Sequence, residues 1–297
     1  MSLVSLTKIQ ENKIKEAISE SLNLVNYSFR KGLQSVVIKI NACYYWDYST
    51  GQTTDPKFVA ALIDLIREKT SLNTQIAIVE SDASAMKCQY AFRFLGYDKL
   101  LQNRNVRLVN LSEEKNENVE ITCNGRPYKF QVPLIIRDAD LRINLPKIKY
   151  TVKGIELTCA LKNIFGCNPY PLKYKYHPNL GEVIVGLNKA MKFDLCIIDG
   201  NIVSGIQPRK LGLVMSSKDP VAIDTAAAKV AGLNPKRIKY LNLANKEGLG
   251  QTNFIPKGLP LSEFRSKYPK KTLRKKLIER AYPWIARLKL EDRLGLG

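Results

Sequence analysis

The chain has 297 residues, 45% of them hydrophobic, enough for a sizeable core, and this excludes a chain disordered throughout. Lysine and arginine number 47 against 27 acidic residues, a formal net charge of +20, so the expected partner is an anion: nucleic acid, an anionic membrane surface, or a phosphate or carboxylate ligand. No secretory leader pattern opens the sequence, no apolar run reaches membrane-spanning length, and the six cysteines never fall at CxxC or CxxxC spacing, so the expectation is a reduced, cytoplasmic protein without an iron–sulfur or zinc motif.

Residues 7–31 place Ile14, Ala17, Ile18, Leu22, Val25 and Phe29 at helical spacing before Gly32, which predicts an N-terminal amphipathic helix. Residues 35–40 (SVVIKI) form a β-branched run suited to a buried parallel strand, and Lys39 and Asn41 lead from it into an aromatic loop with Cys43, Tyr44, Tyr45, Trp46 and Tyr48. Asp55 before Pro56 is a natural N-cap for a helix to residue 67, with Phe58, Leu62, Leu65 and Ile66 as its apolar stripe. A strand over 75–80 (QIAIVE), a helical stretch ending at Gly96 and a strand over 106–111 continue a strand–helix alternation. Asn124-Gly125, between apolar runs at 119–123 and 128–132, is the strongest hairpin signal and reads as an antiparallel excursion on a sheet edge. Residues 140–145 (DLRINL) return as a strand.

The densest chemistry follows, over residues 146–177 (PKIKYTVKGIELTCALKNIFGCNPYPLKYKYH). It holds lysines 147, 149, 162, 173 and 175, an amphipathic segment predicted helical over 154–165, and the only histidine, His177. Loops at strand ends are where α/β folds bind ligands, and lysines converging there would hold a carboxylate or phosphate as point charges. A solvated basic loop is the competing reading, and Lys162 in a last helical turn would also offset the helix dipole. His177 lies in a polar loop and either transfers protons near neutral pH or is a surface histidine without a task.

Beyond it come a helix over 180–191, a strand over 194–198 ending at Asp199-Gly200, a strand over 211–215, an alanine-rich helix opened by Asp219-Pro220, and a helix over 235–246 closing on Gly248-Leu249-Gly250. Asp55 and Asp219 fit N-caps; Asp199 fits a ligand contact or a chain turn; Asp224 has apolar neighbours and needs a donor. Neither GxGxxG nor a Walker sequence is present. Between residues 265 and 293 lie eleven Lys or Arg and three acids, interleaved with leucines, Tyr282 and Trp284, which predicts a basic amphipathic tail broken at Pro283. Such a tail suits an anionic membrane or nucleic acid, or docks its leucines on the body.

Several phrases occur in order along residues 36–250: Lys39-Ile40-Asn41, Thr54-Asp55-Pro56, Asn144-Leu145-Pro146-Lys147-Ile148-Lys149, Leu161-Lys162-Asn163-Ile164-Phe165-Gly166, Lys175-Tyr176-His177, Asp199-Gly200, Ser217-Lys218-Asp219-Pro220-Val221-Ala222-Ile223-Asp224 and Gly248-Leu249-Gly250. Together they resemble the domain-of-unknown-function 362 family, whose biochemical role is not established. The resemblance implies an α/β plan similar to that of the nickel-pincer lactate racemases. It also implies a redox setting with a separate iron–sulfur partner, because many members carry ferredoxin-type cluster modules. Two departures stand out: Tyr150-Thr151 occupies the place where members usually have a histidine after the Lys-x-Lys phrase, and the cluster module is missing. With His177 alone, two histidine bases of a racemase-type mechanism are not available.

The expected fold is α/β, a mainly parallel sheet flanked by helices with an antiparallel hairpin excursion and a basic C-terminal helical tail, divided into lobes at 1–145 and 146–260 and the tail at 261–297. The leading functional expectation is an enzyme or redox-linked protein binding an anionic small molecule. His177, Lys149 and Asp224 are its catalytic candidates; Lys39, Asn41, Asp55, Lys147, Lys162, Asn163 and Asp199 are its ligand contacts; no metal site is assigned and the cofactor is open. The alternative is a non-catalytic adaptor, peripheral to a membrane or bound to nucleic acid through residues 265–293.

Overall fold

Short β-branched runs separated by amphipathic helices bury every strand by laying helices on both faces of one sheet. The computed structural model describes residues 1–42, 44–101, 106–151, 155–205 and 207–269 and has that arrangement. Its elements are β1 (Ser2–Lys8), α1 (Ile14–Leu24), β2 (Ser35–Lys39), α2 (Pro56–Lys69), β3 (Gln75–Glu80), α3 (Cys88–Phe94), β4 (Val106–Asn110), β5 (Asn116–Cys123), β6 (Arg126–Pro133), α4 (Leu134–Arg137), β7 (Leu141–Asn144), β8 (Lys149–Tyr150), β9 (Leu157–Thr158), α5 (Ala160–Asn163), α6 (Leu180–Ala190), β10 (Leu195–Val203), β11 (Arg209–Ser217), α7 (Pro220–Val230), α8 (Lys239–Lys246), β12 (Phe254–Gly258) and α9 (Leu261–Arg265).

Eight strands form one sheet in the order β12-β1-β11-β10-β7-β2-β3-β4, so strands from residues 1–145 and 146–260 share it. It is mainly parallel: β10, β7, β2, β3 and β4 run together, as do β1 and β12, and only β11 opposes its neighbours. Alternation sorts the side chains of β2 between two cores. Val36 and Ile38 meet Ile18 of α1, Phe58 and Leu62 of α2 and Phe92 of α3. Val37 faces the opposite layer, with Phe130 and Val132 of the hairpin and Val183 and Leu187 of α6. The rest of that layer is α5, α7, α8 and α9, which bury Leu161, Ala226, Tyr240 and Phe264.

In α2, Asp55 accepts from Lys57 N at 2.8 Å as the N-cap before Pro56. That cap is worth about 1 kcal/mol, whereas each fully buried Phe58 or Leu62 contributes about 2, so the stripe docks the helix. The chain leaves β2 toward β3 and β4 on one side and returns as β7 on the other. The carboxyl ends of β2 and β7 therefore flank a topological switch point, where open α/β sheets bind ligands.

The fold departs from the sequence reading in several places. The segment read as helix from residue 7 contains the end of β1, and α1 covers only Ile14–Leu24. Val4 and Leu6 alternate with Ser5 and Thr7, the period of a strand, and all four are buried. The hydroxyls are satisfied under α1: Ser5 and Ser21 lie 2.7 Å apart, as do Ser21 and Ser216, and Thr7 donates to Ala17 O at 2.9 Å. The helix expected over 154–165 begins only at Ala160, because β8 and β9 pair first, Lys149 opposite Thr158. Asp199 lies inside β10 and not at a strand end, since β10 and β11 continue past it as an antiparallel pair. The Asn124-Gly125 hairpin forms its own two-stranded sheet against α6 and does not extend an edge of the main sheet. Gly186 makes that packing possible, for a Cβ there would lie 2.6 Å from the Phe130 ring. β12 is a further strand that the sequence reading omits.

At the described C-terminus, Phe264 and Tyr268 are buried and the Tyr268 hydroxyl donates to Ile148 O at 3.1 Å. The basic stretch from residue 270 onward, with Tyr282, Pro283 and Trp284, lies outside the described residues, as does Cys43. No described helix is long and apolar enough to cross a membrane.

Candidate functional site

A cleft of about 1280 Å³ opens at the carboxyl ends of β2 and β3. Five lysines (39, 149, 162, 173, 239) and His177 line it against two glutamates (80, 182), so its potential is positive. Tyr44, Met86, Tyr150, Ile155, Phe165 and Leu243 add apolar wall.

The floor is a connected polar network. Lys39 closes β2 on the side of the sheet that Val37 faces and is fully buried, and its Nζ donates to Glu80 Oε2 at 2.8 Å and to Ile40 O at 2.6 Å. The Glu80 carboxylate accepts in addition from Ser81 N at 3.0 Å and Ala42 N at 3.1 Å, which satisfies a charge that burial would otherwise expel. From the next turn, Asn41 Nδ2 donates to Asn163 Oδ1 at 2.8 Å, Asn163 Nδ2 donates to Asn144 Oδ1 at 2.8 Å, and Asn144 Nδ2 donates to Ala160 O at 2.8 Å. This amide chain ties the ends of β2 and β7 to α5. Lys149 Nζ completes it, donating to Asn41 Oδ1 and Gln52 O, each at 2.7 Å.

Beside Glu80, Lys173 hydrogen-bonds the Ser81 hydroxyl, which in turn donates to Gly166 O at 2.5 Å. Burial lowers the Lys173 ammonium to about 8, aided by the Lys39 charge and opposed by Glu80. Gly166 is required here: a Cβ would sit 2.7 Å from Lys39 Nζ and 2.8 Å from Glu80 Oε1. Thr158, 2% exposed and lining the cleft, has a hydroxyl with no hydrogen-bond partner among the described residues. The Thr151 hydroxyl at the same cleft is unpartnered in the same sense.

Six of the sequence candidates therefore meet at one cleft: Lys39, Asn41, Lys149, Lys162, Asn163 and His177. His177 is exposed there, in the 3-10 turn Lys173–Asn179. The other four are buried outside the lining. Lys147 pairs with Asp199 at 3.0 Å, and Asp199 also accepts from Asp55 N at 2.9 Å, so these three join β10 to the start of α2. Burial raises the Asp55 carboxyl above its usual range. Asp224 accepts from Ala160 N at 2.7 Å and Leu161 N at 3.2 Å, capping α5 from α7, and burial pushes its carboxyl up to about 7.

Glu80, Ser81, Asn144 and Thr158 are absent from the sequence-derived set, and Lys173 enters it only as one of a lysine cluster. One signal was readable: a glutamate closing the apolar run QIAIVE, where burial demands a cation. Among the described residues, no three His, Cys, Asp or Glu side chains gather as a metal site.

These features define an α/β protein with a lysine-floored cleft at the carboxyl ends of a mainly parallel sheet. A family model described as Domain of unknown function (DUF362) matches residues 36–229, and the chain belongs to that family. A thylakoid-associated protein of Synechocystis sp. is 34% identical over 128 residues, which is 39% of this chain and 40% of the relative. The lactate racemase apoprotein of Thermoanaerobacterium thermosaccharolyticum superposes with a TM-score of 0.49 at 11% identity, over 78% of this chain and 58% of that one. The chain thus spans about half the length of the proteins it matches.

Proposed function

We propose that the chain is an enzyme that binds a small carboxylate or phosphate in the cleft, with Lys149 and Thr158 as its anion contacts. The observation that carries this reading is the buried Thr158 hydroxyl left unpartnered on a floor where lysines outnumber carboxylates. A buried hydroxyl without a partner costs about 1–3 kcal/mol, and a ligand oxygen would recover it. The apolar wall suits a ligand whose anionic end meets the floor and whose body is hydrophobic. Thermal-shift and calorimetric screening of carboxylates and phosphates tests the reading. Lys149→Ala should weaken any ligand found by about ten- to a hundredfold, the worth of a charge-assisted hydrogen bond. Unchanged affinity in Lys149→Ala and in Thr158→Val would remove this site.

A second reading, peripheral attachment to an anionic membrane, is favoured by a surface observation. Tyr44, Tyr45, Trp46, Tyr90 and Phe94 are all exposed, and Phe94 meets Tyr45 edge-to-face and stacks on Tyr90, with ring centroids 5.7 and 6.1 Å away. Tyrosine and tryptophan favour membrane interfaces, and the net charge of +20 adds attraction to anionic lipid. The name of the Synechocystis relative points the same way. Co-sedimentation with anionic vesicles at moderate salt should fall in a Trp46→Ser, Phe94→Ser variant and on deletion of residues 270–297. Binding to RNA but not to vesicles would favour the nucleic-acid form of the adaptor.

A further inference from the structure

The lysines of the cleft floor differ in what holds them. Lys39 faces the Glu80 carboxylate, and Lys149 donates to two carbonyl oxygens. Lys173 is 9% exposed, lines the cleft, and makes its hydrogen bond to a neutral hydroxyl, that of Ser81. Among the described residues its Nζ makes no ion pair, and the nearby Glu80 carboxylate is held by Lys39 Nζ, Ser81 N and Ala42 N. The other titratable groups around it are the Lys39 ammonium and the thiols of Cys88 and Cys167, both buried and both raised by burial. A desolvated amine beside a second cation is the arrangement that makes lysine nucleophilic near neutral pH.

We infer that Lys173 forms an iminium with the carbonyl of an oxo-carboxylate bound in the cleft, a role that rests on the anion-binding reading above and specifies its substrate class. The neutral Nζ adds to the carbonyl carbon: a C–N bond forms, the C=O π bond breaks, and the oxygen takes a proton. The carbinolamine then loses water as the C=N bond forms. In sum, one amine, one carbonyl and one proton give one iminium and one water, and no oxidant or reductant is consumed. The Ser81 hydroxyl, already bonded to Nζ, is placed to carry a proton between nitrogen and the departing oxygen. The carboxylate arm takes Lys149 and the unpartnered Thr158 hydroxyl, and the apolar wall takes the remainder. The adduct turns the carbon next to the former carbonyl into an acid, which is the use of such an iminium.

The test is reductive trapping in the full chain. Phenylpyruvate, acetoacetate and 4-oxopentanoate are offered separately with sodium borohydride, which reduces an iminium to a secondary amine, and peptide mass spectrometry locates the modified lysine. The expected result is one adduct, at Lys173, heavier by the oxo-acid less one oxygen, with a trapping rate that rises as pH passes through about 8. Lys173→Met should lose trapping at least a hundredfold and still bind the oxo-acid by calorimetry. If that variant fails to fold, the position of the adduct in the unaltered chain decides. Binding without trapping, or trapping spread over surface lysines, overturns the role of Lys173 and leaves the anion cleft standing. If no oxo-acid binds and no carboxylate or phosphate does either, both fall together.

Discussion

Asp224 is carried on α7, but its carboxylate caps α5, and fully buried as it is, it titrates near 7 where an unfolded aspartate titrates near 3.8. Between those values the folded chain holds the extra proton, so this group's contribution is complete below about 4 and is lost as pH rises through about 7. Asp224→Asn removes the titration. Urea unfolding of the two proteins should show the parent losing ground to the variant by up to about 4 kcal/mol between pH 4 and 7.5. A pH-independent difference would contradict the shift. Glu80→Gln makes an opposite kind of change, leaving the Lys39 ammonium buried with no full counter-charge. A cost of about 3–5 kcal/mol is expected in the same assay, because breaking a buried pair strands a charge. Lys39, Asn41, Lys149 and Asn163 were legible because amide and lysine side chains recur at strand ends in the ordered phrases. The need of Glu80 for a cation was readable, but not that Lys39, 41 residues away, supplies it, and Ser81 was not legible at all, since its partners Lys173 and Gly166 are 92 and 85 residues away and only the fold brings them together. Asp224 was legible as a carboxylate in need of a donor, but which helix supplies the donor is a property of packing.

At the scale of elements, turn chemistry is the most readable layer. Asn124 and Gly125 take φ of 52° and 74°, the left-handed pair that a two-residue hairpin turn requires, so the dipeptide alone located β5 and β6. Gly125→Ala has open space around its Cβ, so its cost of about 1 kcal/mol is backbone strain alone, measurable by thermal unfolding. Where the hairpin docks was not readable, because its partner face on α6 is prepared by the missing side chain of Gly186. The Gly248-Leu249-Gly250 phrase has a comparable explanation. A Cβ on Gly250 would lie 1.9 Å from Asp219 Oδ1, and Asp219 caps α7 through Val221 N and Ala222 N while accepting from Gln251 N and the Ser2 hydroxyl. Gly250→Ala should displace that cap and destabilise the chain by about 1–2 kcal/mol in urea. β1 escaped notice because its alternation, Val4 and Leu6 against Ser5 and Thr7, is short and runs directly into the helical pattern that leads to α1.

Across the whole molecule, one sheet takes strands from both sides of residue 145, the boundary between the two lobes expected from the sequence. β10 is held by β7, and both β11 and β12 by β1, so a cut at that boundary breaks three strand pairings of the sheet. Fragments 1–145 and 146–297 expressed separately should lack native circular dichroism, and the intact chain should unfold in one transition by fluorescence and dichroism alike. Two separate transitions would show that the halves fold independently. The overall α/β plan was readable from strand–helix alternation, but the strand order was not, because β1 and β12 enter the sheet at positions that no local pattern specifies.

The placement of β1 also sets a timetable. Ser2 pairs with Phe254, and Ser5 with Ser216, so β1 has no neighbouring strand during synthesis until β11 and β12 have followed it. Such distant pairing makes folding slow and leaves an apolar, β-prone segment uncovered during synthesis. β1 is therefore the segment where a chaperone has most to protect, and substitutions that weaken its pairing with β11 should reduce the yield of native protein on expression more than they slow its unfolding once folded.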